Sequence, residues 1–263
     1  MSELTARLYG PGAPGAAFRT LRNVTPPARR EILWTVWGWL VILTTTTLFG
    51  TLAILTSWIP PRGRLYLFWA RSWSKAMLFL CGIQTRIEVS EEAAAVPQAV
   101  FMSNHESLVD IPLLFVGVRQ EVRFLAKREL FYVPFLGWSM WLAGFVPVDR
   151  ERKDRALDVF ETLASRVKSG HSILVFPEGT RSRSGSLQPF RKSGFLLAMR
   201  SGLPIVPIGV SGARSVVGAD SLWIRPGPAT IRLGDPIPTR GLSVSDQKAL
   251  MERVRREILR LRG

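Results

Sequence analysis

His105 and Asp110 stand five residues apart in the run Asn104-His105-Glu106-Ser107-Leu108-Val109-Asp110. His105 is one of two histidines in a chain of 263 residues. A histidine with an acid in reach is the pairing of a general base. The acid fixes the imidazole tautomer and stabilises the imidazolium formed when the base takes a proton. A second run, Phe176-Pro177-Glu178-Gly179-Thr180-Arg181-Ser182, puts a carboxylate, a glycine, a hydroxyl and a guanidinium on one turn. Those groups suit a polyol phosphate: Arg181 faces phosphate, Glu178 accepts from hydroxyls, and Gly179 lets backbone come close.

A base needs a nucleophile, and the chain offers no good one. Cys81, the single cysteine, sits among Met77, Leu78, Phe79, Leu80 and Ile83, the setting of an inert buried thiol. No Gly-x-Ser-x-Gly elbow surrounds any serine. Ser107 is better placed to cap a helix than to react. The other histidine, His171, has no acid at comparable spacing and reads as a surface turn residue. Two separated histidines and scattered carboxylates make no ligand set, so no metal is expected.

Both runs follow short apolar segments, 99–102 and 173–176, that read as buried strands. Further strands are expected at 85–89, 122–126, 145–148, 205–210 and 230–233, and helices at 108–117, 152–169, 190–201 and 245–262. The alternation predicts an α/β fold with a mostly parallel central sheet flanked by helices. Such sheets collect their sites at the carboxyl ends of strands, where the polar runs fall. Two more runs belong to this set. Gly144-Phe145-Val146-Pro147-Val148-Asp149-Arg150 places Arg150 just past a strand, and Leu203-Pro204-Ile205-Val206-Pro207-Ile208 forms another strand. The last helix carries an apolar stripe, Leu250, Val254, Ile258 and Leu261, opposite a basic face that reads as solvated.

The chain is both apolar and basic. Hydrophobic residues make up 47%, and 35 Lys and Arg against 20 Asp and Glu give a net charge of +15. Mean hydropathy is +0.15. That combination points to an anionic membrane surface, an anionic substrate or both. No zinc-finger spacing, RNA-binding aromatic signature or long basic helix supports nucleic acid. Between Glu31 and Arg62 no residue is charged, and a run of this length suffices to cross a bilayer. Its tryptophans gather toward both ends, as at a membrane interface. Arginines flank it on both sides, which suits a hairpin entering one leaflet, with a second arm over 65–82 and Arg71 and Lys75 toward the headgroups. The expected layout is a flexible tail at 1–28, a membrane-associated helical hairpin at 29–83 and an α/β catalytic domain at 84–263.

With these four runs in this order, the chain resembles the 1-acylglycerol-3-phosphate acyltransferase family (lysophosphatidic acid acyltransferases). Asn104 to Asp110 fits the family's N-H-x4-D motif, and Phe176 to Ser182 fits its F-P-E-G-T-R-S motif almost letter for letter. Gly144 to Arg150 and Leu203 to Ile208 are similar to its second and fourth motifs, with Pro147 a mild departure.

The resemblance implies an O-acyltransferase that makes phosphatidic acid from a lysophospholipid and the thioester of coenzyme A or acyl carrier protein. It needs no cofactor. His105 and Asp110 would be catalytic. Arg150 and Arg181 would hold the acceptor phosphate, and Glu178, Gly179 and Thr180 would shape the glycerol site. Lys127 could add positive charge, and Trp138, Met140 and Trp141 could line the acyl groove. The enzyme would sit on an anionic membrane with its catalytic domain on the cytoplasmic face. Alternatives are another acceptor (a lyso-ornithine lipid, a different lysophospholipid or glycerol 3-phosphate) or a non-catalytic basic membrane-binding protein.

Overall fold

A computed structural model describes residues 29–59, 62–148 and 156–263. The tail expected at 1–28 lies outside these residues, and so does Arg150.

The uncharged run forms one helix, α1 (Arg29–Leu55). Its threonines stay inside the helix by bonding back to carbonyls, Thr44 Oγ1 to Leu40 at 2.8 Å and Thr45 Oγ1 to Val41 at 2.7 Å. A second helix, α2 (Arg62–Leu80), packs on it. The two run antiparallel, as three indole N–H bonds between them show. Trp69 donates to Thr56 Oγ1 at 2.9 Å, Trp73 to Thr46 Oγ1 at 3.2 Å, and Trp37 donates to the carbonyl of Leu80 at 2.8 Å. Later residues of one arm therefore meet earlier residues of the other.

Beyond the hairpin come β1 (Ile83–Val89), α3 (Glu91–Ala95), β2 (Val100–Ser103), α4 (Asp110–Gly117) and β3 (Val122–Lys127). A 3-10 turn at Arg128–Tyr132 leads to α5 (Leu136–Leu142), β4 (Val146–Val148), α6 (Ala156–Lys168) and β5 (Ser172–Val175). The chain continues through α7 (Ser193–Ser201), β6 (Ile205–Ser211), α8 (Ala213–Val216), β7 (Gly227–Leu233) and α9 (Gln247–Arg262). The strands form one seven-stranded sheet in the order β1-β7-β6-β2-β5-β3-β4. Every neighbouring pair is parallel except β6 with β7. The mostly parallel α/β sheet expected from the alternation is the sheet found.

β2 and β5 are buried at every residue, because a central parallel strand has helices on both faces. Phe101, Leu174, Val206 and Ile208 point to one face, packed with Leu113 and Leu114 of α4 and Leu67 and Met77 of α2. Val100, Met102, Ile173 and Ile205 point to the other, packed with Leu163, Phe195, Val254 and Ile258 of α6, α7 and α9. The apolar stripe of α9 is buried as its spacing requires. The first core draws on α2, so the hairpin shares packing with the sheet layer.

One expectation for the hairpin is corrected. Arg71 does not reach outward to headgroups. Its Nη2 donates to the carbonyls of Val118, Arg119 and Gln120 at 3.0, 2.6 and 3.3 Å, just past the C-terminus of α4. A guanidinium there binds the carbonyls of the turn that follows the helix and meets the negative end of its dipole.

Candidate active site

β2 and β5 lie side by side, with Phe101 opposite Leu174 and Met102 opposite Val175. The chain leaves both at the same carboxyl edge, so the His105 loop and the Glu178 loop emerge together. One side-chain oxygen of Glu178 and one backbone bond join them, while its other oxygen ties its own loop together. Glu178 Oε1 accepts the N–H of His105 at 2.9 Å, and Oε2 accepts that of Gln188 at 2.7 Å. The N–H of Ser182 donates to the His105 carbonyl at 2.7 Å.

His105 Nδ1 lies 2.7 Å from Asp110 Oδ2. Asp110 is fully buried at the first residue of α4. The same oxygen accepts the N–H groups of Glu106 and Ser107 at 2.7 and 2.9 Å. The loop thus wraps around the carboxylate, which cannot move without breaking three bonds. The imidazole stacks on the Phe176 ring, centroids 3.9 Å apart and planes 14° from parallel. With Nδ1 held by Asp110 and one face covered, Nε2 remains as the nitrogen for an incoming proton.

Ser107 works near the helix start, though not as its cap residue. Its hydroxyl accepts the N–H of Val109 at 3.1 Å and donates to the carbonyl of Val217 at 2.7 Å. Asn104, also fully buried, clips the loop to β6. Its Nδ2 donates to the Val210 carbonyl at 2.9 Å, and its Oδ1 accepts the Val210 N–H at 2.8 Å. Its residue type stood out in the sequence, but its partner lies 106 positions away.

The third motif separates into parts. Glu178 is 4% exposed and both its oxygens hold backbone, so it braces the two loops. Gly179 has φ of +74°, and a Cβ there would stand 2.4 Å from Arg191 Nε. Glycine takes the left-handed backbone without strain, and any side chain there would also have to displace Arg191. Thr180 is exposed, and Arg181 is half-buried with no ion-pair or hydrogen-bond partner among the described residues. Arg191, overlooked in the sequence, therefore lies over the turn beside them.

Lys127 is at the carboxyl end of β3, on the same edge, exposed and 3.1 Å from the Glu129 carboxylate. Trp138 and Trp141 line a groove of about 430 Å³ with Phe131, Gly137 and Leu142. Met140, expected beside them, is buried in the core instead. His171 is at the opposite edge of the sheet, before β5, with Nε2 3.9 Å from Glu121. Among the described residues no cluster of His, Cys, Asp and Glu is placed to hold a metal ion.

Acids gather at the His105 loop. Burial raises the carboxyls of Glu106 and Glu178 above their ordinary range, against the pull of Arg262 on both. Arg262 ion-pairs with Glu106 from the end of α9, across 156 positions of chain that no local pattern links.

The acyltransferase family model matches residues 84–211. A crystal structure of the 1-acyl-sn-glycerophosphate acyltransferase PlsC of Thermotoga maritima has the same fold, with a TM-score of 0.77 and 24% identity over 89% of this chain and 97% of that one. Human 1-acyl-sn-glycerol-3-phosphate acyltransferase alpha is 32% identical over 69% of this chain, and the enzyme of the same name from Cocos nucifera is 32% identical over 76%. The match spans 64% of the length of each. The acl-2 protein of Caenorhabditis elegans, provisionally named for the same activity, is 30% identical over 77% of this chain and 71% of its own length. The chain belongs to the 1-acylglycerol-3-phosphate acyltransferase family.

Proposed function

We propose that the chain transfers a fatty acyl group from a thioester of coenzyme A or acyl carrier protein to the free sn-2 hydroxyl of 1-acylglycerol 3-phosphate, giving phosphatidic acid. The observation that carries this reading is the buried His105–Asp110 pair at 2.7 Å on the carboxyl edge of the sheet. His105 Nε2 takes the proton of the acceptor hydroxyl as its oxygen attacks the thioester carbonyl. Asp110 holds the tautomer and stabilises the imidazolium. The tetrahedral intermediate collapses, the C–S bond breaks, and the leaving thiolate takes the proton back. The acyl group passes directly to the lipid, with no acyl-enzyme.

Arg181 and Arg150 bind the acceptor phosphate in this proposal, with Lys127 adding positive charge. Gly179 and Thr180 border the glycerol. Glu178 acts on that site by holding its two loops, since its oxygens are engaged with backbone. The family names support 1-acylglycerol 3-phosphate as acceptor and leave the donor open between the two thioesters.

The same proposal seats the enzyme on a membrane. α1 is long and apolar enough to cross one, by length and composition. Leu33, Val36, Leu43 and Leu48 stand exposed along it, and Tyr132, Trp138 and Trp141 stand exposed near α5, which packs against α1. Apolar surface of this extent supports burial in lipid.

The test is acyl transfer in detergent or vesicles, read as phosphatidic acid formed from lysophosphatidic acid with each thioester in turn. His105→Ala, folded by circular dichroism, should lose roughly 10²–10⁴-fold in kcat. Activity within a few-fold of the parent would sink the mechanism, and a panel of other lysolipids would show whether the acceptor is assigned correctly.

A further inference from the structure

We propose that α9 is a positioning element for the site, acting through Arg262, which ties the first catalytic loop to the turn after Arg181 and balances the charge beside His105. This rests on the reading of His105 as general base. Arg262 lies in the last turn of α9, and its side chain is 19% exposed. Its guanidinium pairs with the Glu106 carboxylate, and Nη2 also donates to the Gly185 carbonyl at 2.7 Å. Glu106 adjoins His105 in the chain, is 6% exposed, and accepts from Asn104 Nδ2 at 3.2 Å.

Arg255, two turns earlier on the same face, donates to the carbonyls of Leu187 and Gln188 at 2.8 and 2.9 Å. The N–H of Gln188 in turn bonds Glu178, which holds the N–H of His105. One helix therefore grips both loops, one directly through Glu106 and the other at three carbonyls. Packing alone does not call for this. Leu250, Val254, Ile258 and Leu261 already bury α9 against the sheet, and a largely buried ion pair carries a desolvation cost that apolar residues avoid.

The electrostatic setting gives the pair a second consequence. The ionisable groups tied to the His105 loop include Asp110 from α4 and Glu178 from the loop after β5, which bond His105 itself, Glu106 next to it in the chain, and Arg262 from α9, which pulls on both Glu106 and Glu178. Three are acids, and Arg262 is the cation placed among them. Losing either partner of the Glu106–Arg262 pair changes the net charge the imidazole feels.

The experiment is the pH profile of kcat/KM for the full chain, with lysophosphatidic acid and acyl-CoA in one fixed detergent. Glu106→Gln leaves Arg262 unbalanced and should move the acidic limb to lower pH by about half a pH unit or more, because a nearby cation disfavours imidazolium. Arg262→Gln should move it the other way. The double variant should return the limb to the parent position. In both single variants kcat should fall, by about tenfold, more than KM changes.

A limb that stays in place in Glu106→Gln while activity drops would leave only a structural role and overturn the proposal. So would a double variant whose limb does not return. If Arg262→Gln does not fold, the near-isosteric Glu106→Gln carries the test. His105→Ala in the same assay separates the two readings. Activity retained there refutes the base assignment, whereas activity lost there with an unmoved limb in Glu106→Gln refutes the role of α9 alone.

Discussion

Asp110 Oδ2 accepts from His105 Nδ1 and from two backbone N–H groups of the loop between them, all within 2.7 to 2.9 Å. The pairing is local, so a spacing of five residues before a helix was enough to read it. Glu178 is the opposite case. Its type suggested a group facing substrate, and its partners are the backbone N–H groups of His105 and Gln188. A carboxylate accepts from whatever the fold brings to it, and the strand order that brings those donors is not written near Glu178. Cys81 was legible because its neighbours are apolar. It is 2% exposed, and burial pushes its thiol up to about 11. The folded thiol therefore holds its proton where the unfolded one loses it, so this group's share of stability is present below pH 9 and is lost as pH rises through about 11. Cys81→Ala should keep full acyl transfer, and native Cys81 should resist a thiol reagent at pH 8 until denaturant is added. Loss of activity in that variant would argue for an acyl-cysteine route.

At the scale of elements, the strand and helix pattern carried the sheet because central parallel strands are uninterrupted apolar runs. The pieces it missed are short: α3, α5, α8 and the 3-10 turn at Arg128–Tyr132. Segments of four to seven residues show too little of a helical period to stand out. Arg71 shows a second limit. On a helical wheel it belongs to a basic face directed at headgroups, yet it binds the three carbonyls that follow α4. Arg71→Ala should destabilise the fold by about 2 kcal/mol, the scale of hydrogen bonds from a charged donor, here to two half-buried acceptors and one exposed one. Denaturant melts in detergent measure this, and an unchanged midpoint would mean that water replaces the guanidinium at no loss. Arg71→Lys should recover only part, since its ammonium sits on a shorter stem than the Nη2 that makes all three bonds.

For the whole molecule, a net charge of +15 joins an uncovered apolar surface on α1 and near α5. The expected outcome is sedimentation with neutral phospholipid vesicles and stronger sedimentation when anionic lipid is added. Salt at about 0.5 M should remove the added part and leave the rest, because screening weakens charge attraction and not apolar burial. Recovery in the supernatant with neutral vesicles would count against insertion of α1.

The sequence by itself determined the α/β class, the His105–Asp110 pair, the burial of Cys81 and the apolar length of α1. Each follows from residues close together in the chain, through periodicity, composition or a short loop. Tertiary structure alone decided that β5 lies beside β2, that Glu178 braces the His105 loop, that Asn104 clips it to β6, and that Arg262 reaches Glu106. Those contacts join positions from 73 to more than 100 residues apart. The order of strands in the sheet chooses such partners, and no local pattern records it. The His105–Asp110 pair could therefore be read from the chain, while what holds it in place, and the charge it feels, had to come from the fold.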